Sequence, residues 1–307
     1  MGLSDFIGKW RARYHEDGAG ALPGAVADLT TGALARVPGV TRLGTTVYDR
    51  DWDVLLILDA CRWDMYDEVV GRGERIWSVG ASSPEWMTNT FRERYADAVA
   101  ATAYVTGNPF SETHVDRARL GAVDEVWRYG WDDALGTIPP DPITDRVIAT
   151  ARSGEYDHVI GHYMQPHYPF VGDDSGTDAG IDLDRFGDEA ADGTGGDRTY
   201  WQRVADGEID LETLWTGYHD NLRLALEAVE TVTDNVDGRV AITADHGNAV
   251  GEWGYWGHEP NLLHPKMRWV PWEVREATDT ETYVPTLEPG DEGTIDRESR
   301  LDLLGYR

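Results

Sequence analysis

Two apolar runs in the chain end abruptly on ionisable residues, and this pattern narrows the folds that the chain can adopt. The run from Val54 to Leu58 is followed by Asp59, and the run "VAITA" is followed by Asp245 and His246. Short continuous apolar runs are typical of strands that a sheet buries on both faces. They alternate here with helical patterns, of which residues 211–229 form the longest. This alternation predicts an α/β fold with an open, largely parallel sheet, flanked by helices in a three-layer α/β/α arrangement.

The polar residues at the strand ends indicate a common site. The carboxyl ends of parallel strands meet along one edge of a sheet, where open α/β sheets hold their ligands. Asp59, Asp245 and His246 lie at two such ends, and His162 and His167 follow a third run, "HVIG". Carboxylate oxygen and imidazole nitrogen together bind hard or borderline divalent cations. We therefore predict a metal centre with Asp59, Asp245 and His246 as protein ligands.

The segment "GASSPEW" supplies two hydroxyl groups between these strands. It indicates a turn before a helix, with Ser83 as the N-cap and Pro84 at the first helical position. A nearby metal ion lowers the pKa of a serine hydroxyl, and the N–H groups at a helix start bind anions. Ser82 and Ser83 are therefore candidate nucleophiles.

Four motifs, taken together, resemble the sulfatase-like branch of the alkaline phosphatase superfamily. They are "LLILDACRWD", "GASSPEW", "MQPHYPF" and "TADHGNAVGEWGYWGH…RWVPW", in the order of that family. The branch includes sulfatases, phosphonate monoester hydrolases, lipoteichoic acid synthases and lipid A phosphoethanolamine transferases. The resemblance implies an alkaline-phosphatase-like fold. It also implies a metal-dependent hydrolase or transferase that acts on a phosphodiester, phosphomonoester or headgroup through a serine nucleophile.

The resemblance gives roles to five of these residues. Asp59 matches the acidic ligand after the first strand, and Asp245 and His246 match the paired ligands of the "DHG" motif. His167, in "PHYP", matches a histidine that contacts the transferred group. His258 matches a histidine near the substrate phosphate or a second metal ion.

The remaining assignments concern the nucleophile and the substrate. Ser82 aligns with the family nucleophile because a proline follows it two residues later, and Ser83 is the alternative and otherwise a substrate contact. Arg62 fits the family pattern after the first ligand. Arg62 and Lys266 would either neutralise the substrate anion or form ion pairs within the protein. Trp256 would either stack on a sugar or lipid headgroup or pack in the core.

Departures from the family motifs separate the alternatives. Sulfatases carry an arginine after the nucleophile segment, and "SSPEW" lacks it, so conversion to formylglycine is not expected. Ala60 and His246 stand where calcium-type sulfatases have an aspartate and an asparagine, which favours zinc or manganese over calcium. One ion is expected, and a second at His167 and His258 stays open. A sulfate-ester hydrolase and a non-catalytic relative that binds an anionic glycan or lipid also stay open.

The charge balance limits the partners. The formal net charge is -29, from 56 acidic and 27 basic residues. Such a surface repels nucleic acid and anionic membranes. An acid-rich, lysine-poor surface is typical of proteins from halophile cytoplasm. The expected partner is a small anionic phosphate or sulfate ester, free or linked to a glycan or lipid.

Composition along the chain predicts its organisation and location. Residues 1–50 are expected to form an N-terminal arm, 51–283 the catalytic domain with an acidic insertion at about 171–198, and 284–307 a C-terminal tail. A single cysteine, Cys61, excludes an intrachain disulfide, and we find no signal peptide or transmembrane run. The sequence therefore predicts a cytoplasmic protein, with peripheral membrane contact through an amphipathic N-terminal segment left open.

Overall fold

The computed structural model describes residues 43–171, 200–290 and 297–304, and six isolated positions at 10, 11, 14, 25, 26 and 29. The predicted acidic insertion lies outside the described residues apart from Val171, and so does most of the predicted arm. The division at residues 50 and 283 therefore stays a prediction. In the described part of the chain, no helix is both long enough and apolar enough to cross a membrane.

The centre of the molecule is a seven-stranded sheet with the order β2-β9-β6-β1-β5-β3-β4. Neighbouring strands are parallel from β6 to β4, and only β9 runs in the opposite direction. A separate hairpin pairs β7 with β8. The strands are β1 (Val54–Leu58), β2 (Glu74–Trp77), β3 (Thr102–Thr106), β4 (Ala122–Asp124), β5 (His158–Tyr163), β6 (Gly238–Thr243), β7 (Ala249–Val250), β8 (Trp256–Gly257) and β9 (Trp269–Ala277). The predicted open, largely parallel sheet is confirmed.

Nine α-helices occur in the three described ranges. The longest, α7 (Leu211–Thr233), keeps its apolar residues on one stripe. Asp210 is its N-cap, and the Asp210 side chain accepts a hydrogen bond from the Thr213 N–H. The helices are α1 (Trp63–Val70), α2 (Ser83–Thr90), α3 (Ala96–Ala100), α4 (Ser111–His114), α5 (Pro140–Ser153), α6 (Tyr200–Ala205), α7 (Leu211–Thr233), α8 (Pro265–Arg268) and α9 (Arg297–Leu303).

Helices cover both faces of the sheet, as two consecutive residues of β5 show. Gly161 faces α5 so closely that a Cβ there would contact the Val147 side chain. His162 points to the other face, where the Trp86 ring of α2 lies 5.8 Å from its ring. α7 packs against α5 and α1. These contacts confirm the three-layer α/β/α arrangement and explain why β1 is buried along its whole length.

The strand register brings the polar strand ends together. Leu58 pairs with Tyr163 and Ile57 with Thr243, so Asp59 and Asp245 leave adjacent strands at the same edge of the sheet. Asp59 N–H then donates to the Tyr163 carbonyl. The site predicted from the strand ends therefore lies at the carboxyl ends of β6, β1 and β5.

Candidate metal centre and active site

Four fully buried side chains converge at this edge. His162 Nε2 lies 3.5 Å from Asp59 Oδ2 and 3.7 Å from Asp245 Oδ2. His246 Nε2 lies 3.5 Å from Asp59 Oδ1 and 3.5 Å from Asp245 Oδ2. Ligand atoms of Asp59, His162 and Asp245 are all within 4.8 Å of one another. The structure thus unites the three predicted ligands with His162.

Each carboxylate has one oxygen that accepts hydrogen bonds and one that accepts none in the described structure. Asp245 Oδ1 accepts the N–H of Ala60 at 3.1 Å and of His246 at 2.8 Å. Asp59 Oδ2 accepts from Ser83 Oγ at 3.2 Å and from Asn108 Nδ2 at 2.7 Å. The other two oxygens, Asp59 Oδ1 and Asp245 Oδ2, are buried and have no hydrogen bond within the described structure. Buried carboxylates that remain charged require a cation or donors.

The backbone at both acidic residues is shaped for this arrangement. Ala60 takes a left-handed conformation with φ 62°, which directs its N–H to Asp245. Gly247 lies so close to the Lys266 carbonyl that a Cβ would collide with it. The glycine of the "DHG" motif is therefore required by packing.

The two imidazoles also present one nitrogen each. His246 Nδ1 donates to the Gly247 carbonyl at 3.0 Å, which leaves the Nε2 lone pair on the side of the carboxylates. His162 Nδ1 contacts the Tyr104 hydroxyl at 2.7 Å, and its Nε2 has no hydrogen bond to any described residue. Metal-binding histidines typically use one nitrogen in this way while the other is hydrogen-bonded.

The electrostatics of the centre favour an ionised Asp59. Burial opposes ionisation of Asp59, but the contact with His162 and the nearby imidazoles of His167 and His246 outweigh it and hold the Asp59 pKa well below its usual range. Two carboxylate oxygens and two imidazole nitrogens form a donor set suited to a divalent cation. The residues present therefore fit a divalent cation.

Ser83 is the hydroxyl next to this centre. Its Oγ lies 3.2 Å from Asp59 Oδ2 and 3.3 Å from His246 Nε2. Ser83 is the first residue of α2, and Ser82, not Ser83 as the sequence predicted, is the N-cap. Ser82 Oγ is buried and makes no hydrogen bond to the described residues. The contacts with two ligands thus belong to Ser83.

His167 and His258 lie beside the centre. The His258 ring is 4.3 Å from the His246 ring and 5.5 Å from the His167 ring, centroid to centroid. His258 Nδ1 donates to Asn248 Oδ1 at 2.7 Å, and His167 Nδ1 donates to the Tyr168 carbonyl. Burial lowers the pKa of both imidazoles, and the neighbouring His246 lowers them further. Both rings are therefore neutral at pH 7, with the lone pair on Nε2.

Arg62 and Lys266 are engaged in ion pairs. Arg62 forms a bidentate pair with Asp64 at 2.8 and 2.6 Å, and it also donates to Glu252 at 2.8 Å and to the Asn248 carbonyl at 3.1 Å. Lys266 Nζ donates to Asp64 at 2.6 Å. This geometry favours the ion-pair interpretation of both residues over direct contact with a substrate anion. Arg62 instead holds the loop that carries His246 and His258.

Replacing Arg62 is expected to destabilise the fold strongly. Only 2% of its side chain is exposed, and Arg62→Met would leave Glu252 and the Asn248 carbonyl without this donor. Asp64 and Glu252 are 42% and 28% exposed, so the main cost is the buried Asn248 carbonyl left without this donor, about 1–3 kcal/mol. Lys266→Met is the control, because a half-exposed pair contributes about 1 kcal/mol or less. Guanidinium unfolding measures the free energy of unfolding of both variants. Equal losses of stability would show that Arg62 does not hold the loop that carries His246 and His258.

Trp256 lies in an aromatic cluster beside the site. It is half-buried and packs against the cluster of Tyr168, Tyr200 and Trp201. Trp253, at the tip of the β7–β8 hairpin, is 43% exposed. The structure therefore supports the packing interpretation for Trp256.

Sequence reasoning missed three residues of the site. His162 was noted at a strand end but not assigned as a ligand. The sequence gives no role to Asn108 and Tyr104, although Asn108 comes two residues after the end of β3, close to the position that Asp59 has after β1. A polar residue inside or directly after a buried strand was the available signal.

The fold and the site define the class: an α/β protein with a candidate metal centre at the carboxyl ends of parallel strands. No protein family model and no curated protein matches the chain. The solved soluble domain of lipooligosaccharide phosphoethanolamine transferase A from Neisseria meningitidis is similar at 13% identity and a TM-score of 0.47, covering 82% of this chain and 86% of that chain. The integral membrane protein of that name from Neisseria meningitidis is similar at 12% identity and a TM-score of 0.49. That match covers 97% of this chain and 61% of the membrane protein.

Proposed function

We propose that the chain is a metal-dependent hydrolase or transferase of phosphate esters, related to the sulfatase-like branch of the alkaline phosphatase superfamily, with Ser83 as its nucleophile. The observation that carries the proposal is the position of Ser83 Oγ, 3.2 Å from Asp59 and 3.3 Å from His246. A hydroxyl in contact with two ligands of a metal centre is the arrangement that activates a serine.

Asp59, His162, Asp245 and His246 would hold the cation. When bound, a divalent cation supplies positive charge that lowers the pKa of the Ser83 hydroxyl and offsets charge on the phosphoryl oxygens. Because this donor set combines carboxylates and imidazoles, zinc or manganese is the proposed metal.

The chain's own groups then divide the steps of the reaction. Ser83 Oγ gives up its proton and attacks phosphorus, forming a P–O bond while the bond to the leaving alkoxide breaks. His167 or His258, each with a lone pair on Nε2, would accept the serine proton and release it to solvent water, from which the leaving oxygen, on the opposite side of phosphorus, takes a proton. In the second step water or an acceptor alcohol attacks the phosphoserine and loses a proton to solvent, and the imidazole returns a proton to Ser83 Oγ as the P–O bond to the serine breaks.

The proposed substrate is a small anionic phosphate ester rather than nucleic acid. A protein with a formal charge of -29 repels an approaching polyanion unless a local positive patch faces it. Arg62 and Lys266, the two basic residues near the site, are neutralised by Asp64 and Glu252.

Hydrolysis of three chromogenic esters tests the function. We expect metal-dependent release of nitrophenol from bis-p-nitrophenyl phosphate or p-nitrophenyl phosphate, at high salt and with added zinc or manganese. Turnover of p-nitrophenyl sulfate alone would identify a sulfatase instead. A protein that binds no metal and turns over none of the three would contradict the proposal and favour a binding function.

A further inference from the structure

Strand β3 supplies no ligand to the centre, but Tyr104 within the strand and Asn108 just after it contact two of the proposed ligands. Tyr104 lies within β3, and its hydroxyl is 2.7 Å from His162 Nδ1. Asn108 follows the strand, and its Nδ2 is 2.7 Å from Asp59 Oδ2. Both residues are completely buried. The two contacts fall on ligands from two different strands, β5 and β1.

The hydrogen bonds of Asn108 fix which of its amide atoms faces Asp59. The side-chain Oδ1 accepts the Phe110 N–H at 2.9 Å, and the backbone N–H of Asn108 donates to Thr106 Oγ1 at 3.0 Å. The Nδ2 group is therefore the one that points to the carboxylate, as a donor. Asn108 thus holds Asp59 Oδ2, which lies 3.5 Å from His162 Nε2, and Asp59 Oδ1, 3.5 Å from His246 Nε2, has no hydrogen bond in the described structure.

The Tyr104 hydroxyl does the same for an imidazole. A neutral imidazole carries one proton, and only the other nitrogen can bind a cation. His162 Nε2 faces Asp59 and Asp245, so a cation bound there requires the ring proton on Nδ1, where the Tyr104 hydroxyl is placed to accept a hydrogen bond from it.

We infer that Tyr104 and Asn108 are positioning residues of the metal centre, through which β3 sets the imidazole of His162 and the carboxylate of Asp59 in their ligating orientations. This inference rests on the proposed metal-dependent function, but it is tested by measuring metal binding and not turnover. Loss of such orienting partners typically weakens metal affinity by about 10- to 100-fold.

The first experiment compares two tyrosines in adjacent strands. Tyr104→Phe removes the hydroxyl on His162, and Tyr163→Phe removes an equally buried hydroxyl that contacts Thr144 Oγ1 at 3.1 Å. Zinc affinity is measured by competition with a chelating dye, and the cobalt-substituted proteins are compared by visible absorption. We expect about 10-fold weaker zinc binding and an altered cobalt spectrum for Tyr104→Phe. Tyr163→Phe is expected to match the wild type in both.

A second pair of variants keeps the test decisive where Tyr104→Phe fails to fold in the metal-free state. Asn108→Ala removes the donor to Asp59, and Asn89→Ala removes a buried amide that donates to the Val79 carbonyl at 2.9 Å. Thermal unfolding of the metal-free proteins shows whether each variant is folded. Zinc affinity that is equal in Asn108→Ala and Asn89→Ala, or in the two tyrosine variants, would overturn the inference.

The outcomes separate this inference from the proposed function. The wild-type protein could bind zinc and hydrolyse none of the esters, while Tyr104→Phe shows the expected loss of zinc affinity. That result would support the positioning roles and contradict the proposed hydrolysis of phosphate esters. A wild-type protein that binds neither zinc nor cobalt would overturn both.

Discussion

Ser83→Ala is expected to abolish phosphate-ester turnover, whereas Ser82→Ala is expected to retain most of it. Loss of a nucleophile typically lowers kcat by on the order of 10⁴- to 10⁶-fold. Only Ser83 contacts two members of the metal centre, at 3.2 and 3.3 Å, while Ser82 Oγ is buried without a hydrogen bond in the described structure. The measurement is kcat/KM of each variant on the best chromogenic ester.

Metal binding is the control for this prediction. Ser83→Ala should still bind zinc, because Asp59, Asp245 and the two imidazoles remain. An inactive Ser82→Ala beside an active Ser83→Ala would show that the spacing to Pro84, and not the contact geometry, identifies the nucleophile.

The choice between the two serines shows where sequence reasoning loses precision. The motif places a nucleophile at the start of a helix, and the structure places that start at Ser83. Ser82 precedes the helix with an extended backbone, whereas Ser83 is the first helical residue, so the two hydroxyls take different directions and only that of Ser83 contacts the centre. Spacing to a proline identifies the turn but does not determine which side chain faces the ligands.

The metal ligands divide in a similar way. Asp59, Asp245 and His246 were predictable because each directly follows a buried run whose position in a parallel sheet fixes the edge where it emerges. His162 lies within β5, and only the strand order, with β5 beside β1, brings it to Asp59. That order comes from pairing between distant parts of the chain, which local patterns do not reveal.

Arg62 shows a further limit. The sequence indicates a basic residue near the first ligand, and both an anion contact and an ion pair are consistent with it. The difference depends on Glu252, which is 190 residues away along the chain and 2.8 Å away in the fold. Charge identity is local information, whereas charge neutralisation depends on tertiary contacts.

Asp245→Asn is expected to remove metal binding and raise the stability of the metal-free protein. Asp245 Oδ1 accepts two backbone N–H groups, so the asparagine will keep its carbonyl oxygen there and turn its NH₂ group towards the centre. An NH₂ group cannot bind a cation. Loss of an orienting partner lowers metal affinity by up to about 100-fold, and we expect a larger loss of zinc affinity here because a ligand itself is removed. The metal-free fold gains because a buried negative charge beside Asp59 disappears.

Asp145→Asn is the matched control, because Asp145 is also a buried acceptor of backbone N–H groups but lies outside the centre. Its two oxygens accept the N–H groups of Thr286 and Leu287 and the Tyr283 hydroxyl. Its replacement should cost about 1–3 kcal/mol of stability and leave zinc affinity unchanged. The two substitutions are chemically identical, so opposite effects on metal binding and on metal-free melting temperature follow only if the carboxylate of Asp245 faces a cation. Equal zinc affinity in the two variants, or a lower metal-free melting temperature for Asp245→Asn, would show that Asp245 is a structural acceptor like Asp145.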